Sequence, residues 1–149
     1  MWARHSGFIT DLDGLQVSIT PERLGAFPVL SELEPGLLAA LARVCQTSTW
    51  RPGEDVFRQG DQGDLFYIIV RGRFQVIQDE RVLAILEDGD CFGEVALVTD
   101  RPRNATVRAV TQAVVLTLGR KNLQQLLRDS PRTQERIRIL LQERAGAPG

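Results

Sequence analysis

The regular occurrence of glycines between residues 50 and 118 is the feature that most constrains how this chain can fold. Short runs rich in β-branched and aromatic residues are separated by six glycines: Gly53, Gly60, Gly63, Gly72, Gly89 and Gly93. Such runs, bounded by turn residues, predict β-strands, and the candidates are 47–50, 55–58, 65–71, 73–78, 82–86, 105–110 and 113–118. Gly72 is expected at a tight hairpin corner, because glycine adopts positive φ at little cost. Seven or eight short strands predict an all-β sandwich or barrel, with the jelly roll among the candidates.

Helical periodicity flanks the predicted strands on both sides. Before them, apolar residues recur at three- or four-residue spacing: Leu24, Phe27, Leu30, Leu33, Leu37, Leu38, Leu41 and Val44. Either Ser31 or Glu34-Pro35 is expected to start the second front helix, because proline is tolerated in a first helical turn. After Gly119 a second helical pattern is interrupted at Ser130-Pro131, and its apolar positions are Leu123, Leu126, Leu127, Ile137, Leu140 and Leu141.

The length of 149 residues fits one domain with appendages. We expect a tail or linker over 1–20, with a turn-like Asp13-Gly14, and a domain over 21–149 that is mostly β with flanking helices. Its parts are a helical front at about 21–46, a β-roll at about 47–118 and trailing helices at about 120–145. The unmatched start and the glycine- and proline-rich end fit a domain excised from a longer chain, and a natural single-domain protein is the alternative.

Composition excludes several classes of protein. Hydrophobic residues at 43% and charged residues at 25% are ordinary for a folded soluble chain. A net charge of −1 provides no global field to attract nucleic acid or an anionic membrane. The apolar runs are too short for a bilayer span or a signal peptide, so a cytoplasmic setting is expected.

The supply of metal-binding and nucleophilic residues also argues against an enzyme. His5 is the only histidine, and Cys45 and Cys91 have no metal-type spacing. A cupin-type metal centre, a histidine-ligated haem or an iron-sulfur cluster would need more such ligands. A serine or cysteine nucleophile with a histidine base is not indicated either. We therefore expect no enzyme activity, no metal and no cofactor, and two reduced, partly buried thiols.

The segment 91–107, between two predicted strands, carries the most specific chemistry. Arg103 follows a proline and can offer a fork of N–H donors to phosphate oxygens. Glu94 would repel a phosphate, so its natural partner is a sugar hydroxyl. Gly93 lets the backbone come close, and a short turn after it can direct amides at an anion. The alternatives are a surface arginine paired with Asp100 and a glutamate that caps the turn.

Two motifs in this segment carry a family resemblance. Phe-Gly-Glu-Val-Ala-Leu at 92–97 and Pro-Arg-Asn-Ala-Thr-Val at 102–107 resemble the phosphate-binding cassette of the cyclic-nucleotide-binding domain family. That family includes the sensor domains of cyclic-AMP-dependent kinase regulatory subunits, nucleotide-gated channels and catabolite activator proteins. The resemblance covers roughly residues 24–141 and implies a β jelly roll of this type.

The resemblance also implies roles for individual residues. Arg103 falls at the family's phosphate arginine and Glu94 at its ribose-binding glutamate. Further ligand-binding positions, through the backbone or as pocket lining, are Gly93, Ala96, Asn104, Ala105, Val76 and Val95. The last helix resembles the lid over the base, for which the candidates are Ile137, Leu140 and Leu141.

Asn104 departs from the family pattern. This position is often alanine or serine in cyclic-AMP binders and threonine in cyclic-GMP binders. An amide side chain can also accept a hydrogen bond from the guanine amino group, so base selectivity stays open. Cyclic AMP is expected because it is the more frequent ligand in the family.

The resemblance implies a sensor that couples a bound cyclic nucleotide, through its C-terminal helices, to an effector outside this chain. One alternative is a docking module with the same fold and no ligand. Another is the sensor fragment of a catabolite-activator-like transcription factor, although no helix-turn-helix or basic recognition face is present in the sequence. The last helix has an apolar face that could serve a homodimer or cover its own roll.

Overall fold

Two four-stranded antiparallel sheets form the centre of the molecule. They are seen in a computed structural model that describes residues 8–10, 16–93 and 102–143. The strands are β3 Gln46–Trp50, β4 Asp55–Phe57, β5 Leu65–Arg71, β6 Phe74–Gln78, β7 Arg81–Leu86, β8 Cys91–Phe92, β9 Thr106–Ala109 and β10 Ala113–Gly119. The first sheet has the order β3-β10-β5-β8 and the second the order β4-β9-β6-β7. The predicted mostly β fold with flanking helices is confirmed.

The chain crosses repeatedly between the two sheets. Strand β3 lies in the first sheet and β4 in the second, and β5 and β6 divide in the same way. The seven strands predicted from the sequence are all present, and each boundary lies within one residue of its predicted position. Strand β8 is additional. It has two residues, too few to show a period of two, and it is held by pairing with Tyr67 and Ile68 of β5.

Helices flank the sheets before β3 and after β10. The front consists of α1 Pro21–Gly25, a 3-10 turn Pro28–Leu30 and α2 Pro35–Val44, and the trailing helices are α3 Arg120–Asp129 and α4 Pro131–Glu143. Thr20 caps α1 by accepting a hydrogen bond from the Arg23 N–H at 3.2 Å. Of the two predicted starts for α2, Pro35 is correct, because Ser31 instead ends the 3-10 turn.

The predicted tail contains a short antiparallel hairpin of β1 Phe8–Thr10 and β2 Gln16–Ser18. Ile9 lies opposite Val17 in the register. Asp13-Gly14, predicted to be turn-like, lies outside the described residues. Three-residue strands are too short for a sustained sequence period, which is why the pattern predicted irregular chain. The role of residues 1–20 as a tail or linker stays a prediction.

The first sheet is a middle layer, because apolar side chains pack against both of its faces. Between the two sheets lies the sandwich core: Phe57, Tyr67, Ile69, Phe74, Val76, Leu86, Phe92, Ala105, Val107, Ala109, Ala113 and Val115. Between the first sheet and the helices lies the helix-facing core, which includes Leu24, Val29, Leu30, Leu33, Phe66, Ile68, Leu116, Leu123, Leu126 and Ile137. Alternate residues of β5 and β10 enter the two cores, so these strands read as continuous apolar runs.

Both cysteines are buried in the helix-facing core, and they do not form a disulfide. Burial raises the pKa of the Cys45 thiol to about 11, which keeps it protonated and unreactive at neutral pH. Within the described ranges no group of histidine, cysteine, aspartate and glutamate side chains could hold a metal ion. The helices seen there are all too short or too polar to cross a membrane.

Gly72 makes the tightest turn that joins the two sheets. Its φ is +124°, and a Cβ built on it would lie 2.5 Å from the Cβ of Ala113, the fully buried first residue of β10. Neither the conformation nor the space suits a side chain, so the predicted positive-φ corner is present at Gly72. The prediction of a hairpin is wrong, because β5 and β6 lie in different sheets and do not pair with each other.

We therefore expect Gly72→Ala to lower the free energy of unfolding by about 3 kcal/mol, through strain plus a steric clash. Gly53→Ala is the matched control, since Gly53 also has positive φ (+87°) but no atom within 4 Å of the added Cβ. The control should lose only about 1 kcal/mol. Urea unfolding of both variants measures the difference, and equal losses would contradict the role of the clash at Ala113.

An ion-pair cluster joins β4 to β9 on the second sheet. Asp55 accepts hydrogen bonds from the Nε of Arg108 at 2.7 Å and from the Nε of Arg58 at 3.1 Å. Burial of the Asp55 carboxyl would raise its pKa, but the bonds from Arg108 and Arg58 outweigh burial and hold the pKa below its ordinary value. The charged carboxylate is therefore favoured by folding, and its stabilisation is lost as the pH falls through that lowered pKa.

We expect Asp55→Asn to cost about 1 kcal/mol at pH 7. The cost should shrink as the pH falls below about 4, because the carboxyl of the unfolded chain is protonated there before that of the folded protein, whose pKa is lower. The measurement is chemical unfolding of both proteins across pH 3 to 7. Glu87→Gln is the control, because Glu87 pairs with Arg73 where both side chains are more than half exposed. An Asp55→Asn penalty that stays constant across this range would contradict the ionic account.

Candidate functional site

Two hydrogen bonds hold the backbone of Arg103, the predicted phosphate ligand. It lies just before β9, and its N–H donates to the Asp61 carbonyl at 2.7 Å. Its own carbonyl accepts from the Gly60 N–H at 2.7 Å. Both partners belong to the loop between β4 and β5, so that loop holds the start of β9 in place.

The side chain of Arg103 points inward and is 4% exposed. Its Nη1 donates to the Gly93 carbonyl at 3.2 Å, and its Nη2 donates to the Leu65 carbonyl at 2.8 Å. The guanidinium carbon lies 4.1 Å from the centre of the Phe57 ring. The alternative of a surface arginine is therefore wrong, and Asp100, its suggested partner, lies outside the described residues.

Two glycines leave room for this guanidinium. Gly93 has φ +87°, and a Cβ there would lie 2.7 Å from the Leu65 carbonyl and 3.2 Å from Nη1 of Arg103. A Cβ on Gly63 would lie 2.7 Å from Nε and 2.8 Å from Nη2 of Arg103. Gly93 was predicted from the sequence. Gly63 was read only as turn punctuation, and its signal was the paired glycines of Gln-Gly-Asp-Gln-Gly-Asp at 59–64.

The predicted pocket-lining residues fall into two environments. Val76 and Ala105 are each 1% exposed and lie together in the sandwich core. Asn104, between Arg103 and Ala105, is exposed, and its carbonyl accepts a hydrogen bond from the Gln78 side chain at 2.9 Å. Gln78, at the end of β6, was not singled out in the sequence, and it anchors the backbone next to Arg103.

The other predicted positions are three cassette residues and the lid candidates. Glu94, Val95 and Ala96 lie outside the described residues. Of the lid candidates, Ile137 is 5% exposed and belongs to the helix-facing core. The side chains of Leu140 and Leu141 lie outside the described part of α4.

Aromatic rings form the floor beneath Arg103. Tyr67 and Phe92 stack at 4.8 Å between ring centres, and Phe57 is tilted against both, at 5.8 and 5.9 Å. Phe57 and Leu65 were missed because neither stands out in a local pattern: one contributes a ring face and the other a backbone carbonyl. The assembled site is a buried guanidinium in contact with a cluster of buried aromatic rings. Such an arrangement can bind a singly charged anion with directed N–H groups.

An open cavity of about 700 Å³ lies on the Gly63 side of this site. Its lining residues are Gln62, Gly63, Asp64, Gly119, Arg120, Lys121 and Asn122. Gly63 therefore lies between the guanidinium of Arg103 and this cavity, which the first turn of α3 also lines. The site and the trailing helices share this boundary.

Comparison with known proteins agrees with this geometry. Residues 47–130 match the sequence profile of the family described as "Cyclic nucleotide-binding domain". A cAMP-dependent protein kinase regulatory subunit of Debaryomyces hansenii is 42% identical over 100 residues, which are 66% of this chain and 22% of that protein. The chain thus spans less than a quarter of the length of this relative.

Solved structures show the same fold. One described as "Sp-2Cl-cAMPS bound to PKAR CBD2" is 28% identical with a TM-score of 0.69, covering 83% of this chain and 87% of that one. The second is a regulatory subunit of a cAMP-independent protein kinase A from Trypanosoma brucei, solved as a triple mutant bound to cAMP in the A site. It is 26% identical with a TM-score of 0.71, covering 78% of this chain and 44% of that one.

These matches confirm two expectations from the sequence. The fold is that of the resembled family, and the domain is a binding domain rather than a catalytic one, since the curated relatives are named as regulatory subunits. The profile match covers more than half of the chain. This chain therefore belongs to the cyclic nucleotide-binding domain family.

Proposed function

We propose that this chain is a regulatory sensor that binds a cyclic nucleotide, with cyclic AMP as the first candidate. The observation that carries the proposal is the buried guanidinium of Arg103 at the family's phosphate position. A cyclic phosphate diester has one negative charge and oxygens that match the planar N–H fork of arginine. A charge-assisted hydrogen bond of this kind, shielded from water, contributes about 1.5 to 3 kcal/mol.

The other site roles follow from the family resemblance and belong to the proposal. The carboxylate of Glu94 accepts a hydrogen bond from the ribose hydroxyl, and the backbone at Gly93 and Ala96 faces the phosphate. Val76, Val95 and Ala105 line the sugar and base pocket. Of these, Val76 and Ala105 are buried in the sandwich core, and Ala105 follows Arg103 by two positions in the chain.

The names of related proteins favour cyclic AMP. The curated relatives cited above are cAMP-dependent kinase regulatory subunits. The Trypanosoma brucei mutant was solved with cAMP after substitutions that introduce an arginine seven positions after an alanine and one position before another alanine. Here Arg103 likewise stands seven positions after Ala96, whereas Asn104 replaces the second alanine. Cyclic GMP stays the competing ligand because the exposed amide of Asn104 can accept from a guanine amino group.

Transmission through the trailing helices completes the proposal. Helix α3 buries Leu123 and Leu126 in the helix-facing core. Helix α4 is joined to the front by Arg136, which donates to Glu32 at 3.1 Å. A ligand held by Arg103 would act on the boundary at Gly63 and shift the packing of α3 and α4. The output is an effector outside this chain, in a cytoplasmic setting.

Two other functions compete with the sensor. A docking module would keep the fold and bind no nucleotide. The burial of Arg103 beside Gly63 and Gly93, which leave room for its guanidinium, disfavours this function. A sensor fragment of a catabolite-activator-like transcription factor would bind the same ligand but act on DNA through a segment not present here. Nucleotide titration separates the first alternative, and the identity of the effector separates the second.

Calorimetric titration with cyclic AMP and then cyclic GMP tests the ligand. We expect micromolar or tighter binding of cyclic AMP, and a loss of at least a hundredfold in Arg103→Ala and in Arg103→Gln, the latter of which retains a polar side chain of similar reach. Arg108→Ala is the matched control, because Arg108 is an exposed arginine of β9 paired with Asp55, and it should bind like the wild type. No binding of either nucleotide by the folded wild type would overturn the proposed function.

Hydrogen exchange tests transmission. Saturating cyclic AMP should change the amide exchange of residues 120–143 and 28–33 as well as that of residues around Arg103, because the helices pack on one shared core. In Arg103→Ala these changes should be absent at the same nucleotide concentration. Exchange that changes only in the strands and loops around Arg103 would contradict transmission through α3 and α4.

A further inference from the structure

We propose that Phe57 is a positioning residue for anion binding: its ring sets the position and plane of the Arg103 guanidinium. The inference rests on the proposed function and adds to it a residue outside the two cassette motifs. Phe57 ends β4 and lies opposite Val107 of β9, the strand that Arg103 leads into. The two side chains are therefore carried by neighbouring strands.

The contact is close and dry. The guanidinium carbon of Arg103 lies 4.1 Å from the ring centre of Phe57. Phe57 is 8% exposed and Arg103 is 4% exposed. A cation over an aromatic face is attracted by the ring quadrupole, and the attraction is greatest where water is excluded.

The contact with the ring and the hydrogen bonds involve different atoms of the guanidinium. Its central carbon lies over the Phe57 ring, whereas its N–H groups point outward in the guanidinium plane. Nη1 and Nη2 donate to the carbonyls of Gly93 and Leu65. The two carbonyls hold two of the N–H groups, and in the proposed role Phe57 holds the central carbon over its ring and so limits how far the guanidinium can tilt. Incoming phosphate oxygens then meet an arginine that has little orientational freedom left to lose.

The ring is itself held in place. Phe57 is tilted by 45° against Tyr67 and by 55° against Phe92, and these two rings stack on each other. Gly93 follows Phe92 directly, and a Cβ on Gly93 would lie 3.2 Å from the Tyr67 ring. The same aromatic group thus supports both the guanidinium and the glycine whose carbonyl accepts from it.

The competing explanation is that Phe57 only fills space in the sandwich core. Leucine also fills much of that space but has no ring face. Phenylalanine analogues with one, two and three ring fluorines keep nearly the same shape and progressively weaken the quadrupole. A space-filling role predicts no trend across the fluorinated series, whereas a cation contact predicts a graded one.

The experiment is calorimetric titration with cyclic AMP of proteins carrying these analogues at position 57, together with Phe57→Leu. We expect affinity to fall stepwise with fluorination and by about fivefold or more in Phe57→Leu. The matched control is the same series at Phe74, a fully buried ring 5.5 Å from Phe92 in the same cluster, which should show no such trend. In the Arg103→Ala background, measured at millimolar nucleotide, Phe57→Leu should change affinity by less than twofold.

The possible outcomes separate the role of Phe57 from the proposed function. A folded wild type that binds cyclic AMP, with equal affinities across the position 57 series, would overturn the role of Phe57 and leave the proposed function intact. An undiminished effect of Phe57→Leu in the Arg103→Ala background would overturn it too, since the ring would then act through the core. A wild type that binds neither nucleotide would overturn the proposed function, and the positioning role with it.

Discussion

The burial of β5 on both faces is the constraint on which the rest of the structure depends. Tyr67 and Ile69 enter the sandwich core, whereas Phe66 and Ile68 enter the helix-facing core. The same strand begins at Leu65, whose carbonyl accepts from Arg103. One rigid element therefore faces the anion site, the aromatic floor and the helical layer. Because close-packed cores transmit small displacements rather than absorb them, the proposed transmission from the site to the helices would run through β5.

A buried guanidinium is costly to desolvate, so its surroundings must compensate. The compensation described here comes from two backbone carbonyls and an aromatic face. None of these groups carries a formal charge. These contacts orient the positive charge of Arg103. Gly63 and Gly93 preserve this arrangement, because a methyl group at Gly63 would overlap the guanidinium and one at Gly93 would overlap the Leu65 carbonyl that accepts from it.

Local patterns predicted most of the architecture and part of the site. The run at 65–71, the corner at Gly72 and the break at Ser130-Pro131 were visible because each has a short-range cause: burial, backbone conformation or a missing N–H. Strand β8 and the hairpin of β1 and β2 were missed because two or three residues show no period. Within the site, Gly93 and Arg103 were found through their motif. Phe57, Gly63 and Leu65 act on Arg103 only after β4, β5 and β9 come together, and no local pattern encodes that meeting.

The reactivity of the two buried cysteines can be used to measure how often the helices separate from the first sheet. Cys45 follows the last turn of α2 and Cys91 lies in β8, and both belong to the core that joins the helices to the first sheet. A protonated, enclosed thiol reacts with an alkylating reagent only while its surroundings are transiently apart. The rate of thiol labelling therefore counts how often the helical layer lifts from the sheet. The wild-type protein carries this probe of interlayer motion without any engineered label.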